Sequence, residues 1–399
     1  MEINFLELAK ENSEYCKSIR RAIHQNPELS FNEIETSKLI AKELTNLGIK
    51  NFFALKSSPE VADNNIGVIG VLGVGERTLA LRADIDALPI AESTNLEFSS
   101  RNKGIMHACG HDMHTAILLT AAKILKENEN QIKGRIILIF QPAEEMLPGG
   151  AKLLLDSKIL DEYKPEAFFG QHINPEIQSG KIVTKSGPLM ASTDEIHLTI
   201  NGKSTHAAQP HLGADPILAS VNIIQSFQNL LTKFKNPLEP AVISITAINS
   251  GNTTNIIPDS AKMMGTLRTY NQELRELLKE KINSNIIDIA KQYDCSVENN
   301  ILEGYPPLIN NSGTTALVQN VAVQILGENS FEIAEPKMWA EDFAYYTQIA
   351  PSTFWFLGVK NEDKPIFPLH NPNLNPDENA LIQGTALMAA IGIKYLNRI

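Results

Sequence analysis

Apolar residues recur at helical spacing through residues 3–25, with Phe5, Leu6, Leu8, Ala9, Ile19 and Ile23 on one stripe, and Pro27 ends the pattern. Ser37–Leu47 repeats it as a second amphipathic helix, stopped by Gly48. The period then shortens. Gly67–Leu72 and Thr78–Arg82 are strand-like, with Gly70-x-x-Gly73-x-Gly75 predicting a hairpin turn between them. Thr115–Lys126 predicts a helix, Arg135–Phe140 a short buried strand, Ala151–Leu155 the start of a helix and Ala167–Gly170 a strand. Strands alternating with helices predict an α/β fold with a mostly parallel sheet.

The pattern changes in the middle of the chain. Asp194–Ile200 alternates like a half-exposed strand, Pro216–Phe234 is helical, and Ala241–Asn249 and Lys262–Arg268 are strands. Glu273–Gln292 is a long helix and Cys295–Ile301 another strand. The order β-α-β-β-α-β is that of a ferredoxin-like α+β unit. Helix Ser312–Gly327, strand Phe354–Val359 and helix Asp377–Leu396 follow and resume the α/β character. The expected organisation is therefore an α/β domain in two parts, residues 1–189 and 301–399, interrupted by an inserted domain at 190–300.

Composition narrows the class of protein. A chain of 399 residues, 43% hydrophobic and 20% charged, is long enough for two or three domains at ~150 residues each. With 35 basic and 46 acidic residues the net charge is −11, a field that repels phosphate backbones and argues against nucleic acid as a partner. Three scattered cysteines, Cys16, Cys109 and Cys295, do not make a disulfide framework and fit a reducing compartment. No uncharged apolar run reaches ~18 residues, and the acidic start lacks the form of a signal peptide. A cytoplasmic protein with no membrane partner is expected.

The strongest chemical signal is His107-Ala-Cys109-Gly-His111-Asp112-Met-His114. Thiolate and imidazole are preferred ligands of zinc and similar ions, and a loop can fold two such residues around one ion. Gln141-Pro-Ala-Glu144-Glu145 follows the strand at Arg135–Phe140. Of two adjacent carboxylates, one can bind metal while the other serves as general base; alternatively they are surface glutamates opening a helix, where the macrodipole favours them. Asp84 and Asp86 follow the strand at Thr78–Arg82, His172 follows Ala167–Gly170, and His370 lies in a Pro-flanked loop. Strand ends that deliver Asp, Cys/His, Glu-Glu and His toward one edge have the layout of a two-metal hydrolase. In the inserted domain, His206, Asn255 and Arg268 offer a donor to an oxyanion and a partner for a carboxylate. Spacing alone equally allows Asn255 to be a turn former and Arg268 a sheet-surface charge.

Taken together, Arg82-Ala-Asp84-Ile-Asp86-Ala-Leu-Pro89, the Cys109–His111 segment, Phe140-Gln-Pro-Ala-Glu144-Glu145, Gly170-x-His172 and Asn255-Ile-Ile-Pro-Asp259 resemble, in order and spacing, one metallohydrolase family. It is the amidohydrolase branch of the zinc aminoacylase and carboxypeptidase-like family, which includes hippurate hydrolase, N-acyl-amino-acid amidohydrolases and plant auxin-conjugate hydrolases. The likeness runs from His24-x-x-Pro27-Glu28 to His370. It implies hydrolysis of the amide bond of N-acyl-L-amino acids, with dipeptidase or carboxypeptidase activity as the alternative. A metal-binding protein without turnover is the reading from another class. The resemblance implies two divalent ions per chain (zinc or manganese, with nickel also suited) held by Cys109, His111, Glu145, His172 and His370. It implies Glu144 as general base and acid, an acidic residue among Asp84 and Asp86 beside the metals, His206 as oxyanion donor, and Asn255 and Arg268 as substrate-binding groups. It further implies a small-molecule N-acyl amino acid as partner and a homodimer formed through the inserted domain. Two positions depart from the family pattern, Met146-Leu-Pro after Glu145 and Thr205 before His206. Both bear on acyl specificity and neither is a ligand position.

Overall fold

The structure, a computed structural model, describes residues 3–56, 65–362 and 364–398. Its strands in chain order are β1 (Lys50–Lys56), β2 (Asn65–Val74), β3 (Thr78–Asp84), β4 (Gly134–Gln141), β5 (Ala167–Gln178), β6 (Ile182–Thr184), β7 (Gly187–Met190) and β8 (Asp194–Asn201). Then come β9 (Thr205–His206), β10 (Ala241–Ser250), β11 (Ile256–Ile257), β12 (Ser260–Thr269), β13 (Ser296–Glu303), β14 (Leu308–Asn310), β15 (Phe331–Ile333) and β16 (Ser352–Lys360). The helices are α1 (Phe5–Glu11), α2 (Ser13–His24), α3 (Ile34–Asn46), α4 (His111–Glu127) and α5 (Gly150–Asp156). They continue with α6 (Pro216–Phe234), α7 (Gln272–Gln292), α8 (Ser312–Leu326), α9 (Ala344–Thr347) and α10 (Ala380–Leu396).

Two compact units emerge. The first comprises Met1–Leu189, Ile309–Glu335 and Asp342–Ile399. Its sheet has the order β1-β2-β4-β3-β5-β16-β6-β15, with β4, β3, β5 and β16 mutually parallel. β3 is buried along its whole length, as expected of a central strand covered on both faces. Helices α4 and α10 are apolar around almost their entire circumference and lie in the core. Gly384 on α10 lets them approach closely, since a Cβ there would stand 2.7 Å from Ile117 Cδ1 on α4.

Several boundaries differ from the sequence reading. The first helical stretch is two helices, α1 and α2, broken at Asn12, whose amide donates to the Leu8 carbonyl at 2.9 Å. There is no hairpin at Gly70–Gly75. Gly70 and Gly73 lie inside β2, and β2 and β3 flank β4 on opposite sides, one antiparallel to it and the other parallel. Helix α4 starts at His111 rather than Thr115, and α3 at Ile34 rather than Ser37.

The second unit comprises Met190–Leu308 and Pro336–Glu341. Its antiparallel sheet has the order β10-β12-β8-β13, the arrangement of a ferredoxin-like unit. Alternate residues of β8 (Ile196, Leu198, Ile200) share a core with Ile223 and Phe227 of α6 and with Leu278, Ile282 and Ile286 of α7. The unit extends past residue 300 because β13 runs on to Glu303, which pairs with Asp194 on β8. There Asp194 accepts two bonds from Arg275, at 2.7 and 2.8 Å, with both side chains buried. Among the described residues no helix is long and apolar enough to cross a membrane.

Candidate metal centre

The carboxyl ends of β3 and β4 and the middle of β5 meet the first turn of α4. Parallel register aligns them: Asp84 pairs with Gln141, and Arg82 pairs with Gly170, two residues short of His172. α4 is entered through Gly110, held at φ +82, where a Cβ would come within 2.2 Å of Ile173 Cδ1. Only glycine fits that turn, and it sets Cys109 and His111 on either side of one backbone reversal.

Hydrogen bonds fix how each imidazole presents its nitrogens. His111 Nδ1 lies 3.1 Å from Asp86 Oδ1 and donates to it, which turns Nε2 toward the centre. That Nε2 is buried and has no hydrogen-bond partner. His172 Nδ1 donates to the Ile173 carbonyl at 2.7 Å, and its Nε2 points to Cys109 Sγ at 3.3 Å. His114 accepts from the Ile173 N–H through Nε2 (2.8 Å) and donates from Nδ1 to Asp84 Oδ1 (2.5 Å). Both its nitrogens are engaged, so His114 orients its neighbours instead of offering a donor atom. Asp84 and Asp86 thus divide: Asp86 backs His111, and Asp84 backs His114.

Glu145 is set by its own N–H, which donates to Asp86 Oδ2 at 2.9 Å. Its Oε1 lies 3.9 Å from His111 Nε2 and 3.2 Å from His370 Nε2. The His370 loop is tied to the cysteine loop, since the His370 N–H donates to the Ala108 carbonyl at 2.8 Å. Donor atoms of Cys109, His111 and His172 lie within 4.8 Å of one another, as do those of Cys109, Glu145 and His370, and those of His111, Glu144 and Glu145. The five side chains named as ligands, with Glu144, therefore fall into overlapping groups at one place.

The electrostatics suit a cation. Burial opposes a charge on His111, yet the Asp84, Asp86 and Glu145 carboxylates outweigh it and raise its pKa to about 10. Burial, reinforced by Glu145 and Glu144, pushes the Cys109 thiol well above its ordinary range. Burial together with His114 keeps His172 well below its ordinary value, so its imidazole is neutral. The pocket thus holds excess negative charge, a buried His111 Nε2 with no hydrogen-bond partner and a neutral His172, and a divalent cation that displaces the His111 proton complements all three. The residues present fit a metal centre.

A second layer supports this one. Arg82, fully buried, donates to Asp84 Oδ2 (2.7 Å), Gln141 Oε1 (3.0 Å) and Asp342 Oδ1 (2.7 Å). Asp342 also accepts from the Gln141 amide and the Ala151 N–H, and burial raises its pKa to about 6. At the start of α4, Asp112 accepts from Arg20 Nε (3.0 Å) and meets His24 Nδ1 (2.9 Å). Burial disfavours charge on His24, but Asp112 and Glu92 raise its pKa to about 9. Sequence reading did not single out Asp342, nor Ser30, whose hydroxyl donates to Asp86 Oδ2, nor Glu33, whose carboxyl accepts from the Ala143 N–H. Asp342 carries no local signal, whereas Glu33 lies just downstream of the His24-x-x-Pro27-Glu28 run.

In the second unit, His206 on β9 pairs with Ile256 on β11, and the Ala207 N–H donates to the Asn255 carbonyl at 2.9 Å. His206 and Asn255 are thereby neighbours on an exposed two-stranded patch. Arg268 lies on β12 opposite Val242, half-buried.

Comparison with known proteins agrees with the fold. An IAA-amino acid hydrolase (ILR1-like 5) of Arabidopsis thaliana is 38% identical over 98% of this chain and 90% of its own. The N-acetyl-L-cysteine deacetylase of Bacillus subtilis is 39% identical over 92% of this chain and 85% of its own. The crystal structure of a Bacillus subtilis protein described as a dinuclear metal binding peptidase superposes with a TM-score of 0.82 at 35% identity, covering 98% of this chain and all of that one. The model of peptidase family M20/M25/M40 matches residues 80–393, and the chain belongs to that family of hydrolases.

Proposed function

We propose that this protein hydrolyses the amide bond of N-acyl-L-amino acids, releasing a carboxylic acid and a free amino acid, with two divalent ions held by Cys109, His111, Glu145, His172 and His370. The observation that carries the reading is the buried, unpartnered Nε2 of His111 facing Glu145, with Glu144 beside it, at the carboxyl ends of parallel strands. The relatives named IAA-amino acid hydrolase and N-acetyl-L-cysteine deacetylase support the substrate class. Zinc or manganese suits the mixed Cys/His/Glu donors, and nickel is also compatible.

When bound, the ions polarise the amide carbonyl and lower the pKa of water toward neutrality. Glu144 takes the proton of the attacking water and returns it to the nitrogen of the departing amine. Asp86 keeps His111 Nδ1 protonated and its Nε2 turned to the centre, while Asp84 does the same for the orientation of His114. His206 is assigned as donor to the carbonyl oxygen as it gains charge, and Asn255 and Arg268 as the groups that hold the amino acid. A second reading, cleavage of true peptide bonds, is favoured by the description of the Bacillus subtilis structure as a peptidase.

Amine release from paired N-acetyl or N-benzoyl amino acids and dipeptides separates the two readings: the proposal expects the N-acyl amino acids to be turned over faster. On the same panel Arg268→Ala should selectively weaken substrates that carry an α-carboxylate. Unchanged relative efficiency against carboxylate-free amides would remove Arg268 from that role. Glu144→Gln should retain the metal and lose about 10²–10⁴-fold in turnover, and wild-type turnover in a fully metallated variant would sink its assignment. The proposed homodimer is supported by the exposed Ile217, Leu218 and Val221 on α6. Light scattering should give twice the chain mass, and a monomer at micromolar concentration would refute it.

A further inference from the structure

Ala143 stands directly before the Glu144–Glu145 pair and is held at φ +54, a left-handed conformation in which a Cβ is crowded. Two bonds keep it there. Its N–H donates to Glu33 Oε1 at 2.7 Å, and its carbonyl accepts from the Gly150 N–H at 2.9 Å. Glu33 is fully buried, a costly place for a carboxyl group without a task. It precedes α3, yet its side chain makes no capping bond to that helix. Glu28 does that work instead, accepting from the N–H groups of Glu35 and Thr36 at 3.1 and 2.8 Å. The Glu33 carboxyl therefore reaches across 110 positions of sequence to one backbone amide. The same segment sends the Ser30 hydroxyl to Asp86 Oδ2 at 2.7 Å, the oxygen that also accepts from the Glu145 N–H. One loop thus braces the centre at two points.

We propose that Glu33 is a positioning residue: its carboxyl clamps the Ala143 N–H and so maintains the left-handed turn that aims Glu144 and Glu145. The inference rests on the roles assigned to that pair under the proposed function. It makes reach, not charge, the critical property of the side chain. Glutamine keeps an acceptor oxygen at the same distance, whereas aspartate keeps the carboxyl group but is one methylene short. Glycine at 143 takes positive φ without the steric cost and lessens the need for the clamp.

The test compares Glu33→Gln, Glu33→Asp, Glu33→Ala and Ala143→Gly, alone and combined with Glu33→Ala, in the full chain. Two quantities are read: kcat and KM on an N-acetyl amino acid, and the affinity of the metal-free protein for Co²⁺ by calorimetry. Glu33→Asp and Glu33→Ala should lower kcat by about 10–100-fold, the scale of an ångström-level misplacement, with KM little changed, and should weaken Co²⁺ binding. Glu33→Gln should stay close to wild type, and Ala143→Gly should restore at least part of what Glu33→Ala loses. Glu33→Asp behaving as wild type while Glu33→Gln is impaired would overturn the proposal, as would losses that neither glutamine nor Ala143→Gly relieves. If Glu33→Ala does not fold, the aspartate and glutamine variants decide. A wild-type protein that binds Co²⁺ but releases no amine would refute the hydrolase reading, and the Co²⁺ affinities would still judge Glu33.

Discussion

Several carboxylates share one buried place in this fold, and everything around them answers that constraint. Asp84, Asp86 and Glu144 are almost inaccessible to water, and Glu145 is mostly covered. An isolated buried carboxylate is strongly disfavoured unless positive charge or hydrogen-bond donors surround it. Arg82 supplies one fixed charge, to Asp84 and Asp342. His111, Cys109 and Glu145 belong to overlapping groups of donor atoms beside these carboxylates. There the carboxylates raise the pKa of His111 to about 10, which means they favour any cation that can sit beside them. A proton on His111 Nε2 is one answer, and a divalent ion bound by the same nitrogen is a stronger one, because the neutral His172 and the thiol of Cys109 also face inward.

The architecture makes that concentration of charge reproducible. Parallel strands bring their carboxyl ends to a common edge, so Asp84 and Gln141 arrive level with each other. The apolar body of α4 anchors its polar first turn, and Gly110 permits the sharp entry that sets Cys109 beside His111. Asp112 then ties that turn to α2 through Arg20 and His24. The left-handed Ala143 and the Glu33 bond to its N–H belong to the same logic, in which a backbone conformation held by a buried side chain aims the glutamates.

Much of this was legible in the residues. Cys109 and His111 are close in sequence, so their chemistry shows locally, and strand ends could be found from apolar runs alone. The ferredoxin-like order of the inserted unit was readable because β8, α6, β12 and α7 keep clean periodicity. What escaped had physical reasons. Helices α3 and α4 begin three to four residues earlier than apolar spacing suggested, because their first turns or caps carry polar groups that serve the centre. Asp84 and Asp86 are two apart on one strand end, and which of them backs His111 depends on the rotational phase of α4, which sequence does not display. Asp342 arrives from a loop 201 positions beyond Gln141 and has no motif of its own.

The central claim is that side chains from four separate segments enclose a pair of cations. Anomalous diffraction from crystals grown with zinc or manganese tests it most directly. The account predicts two peaks about 3.5–4 Å apart, bounded by Cys109, His111, Glu145, His172 and His370, with Glu144 ligating neither. Peaks elsewhere, or a pocket that stays free of metal under those conditions, would contradict it.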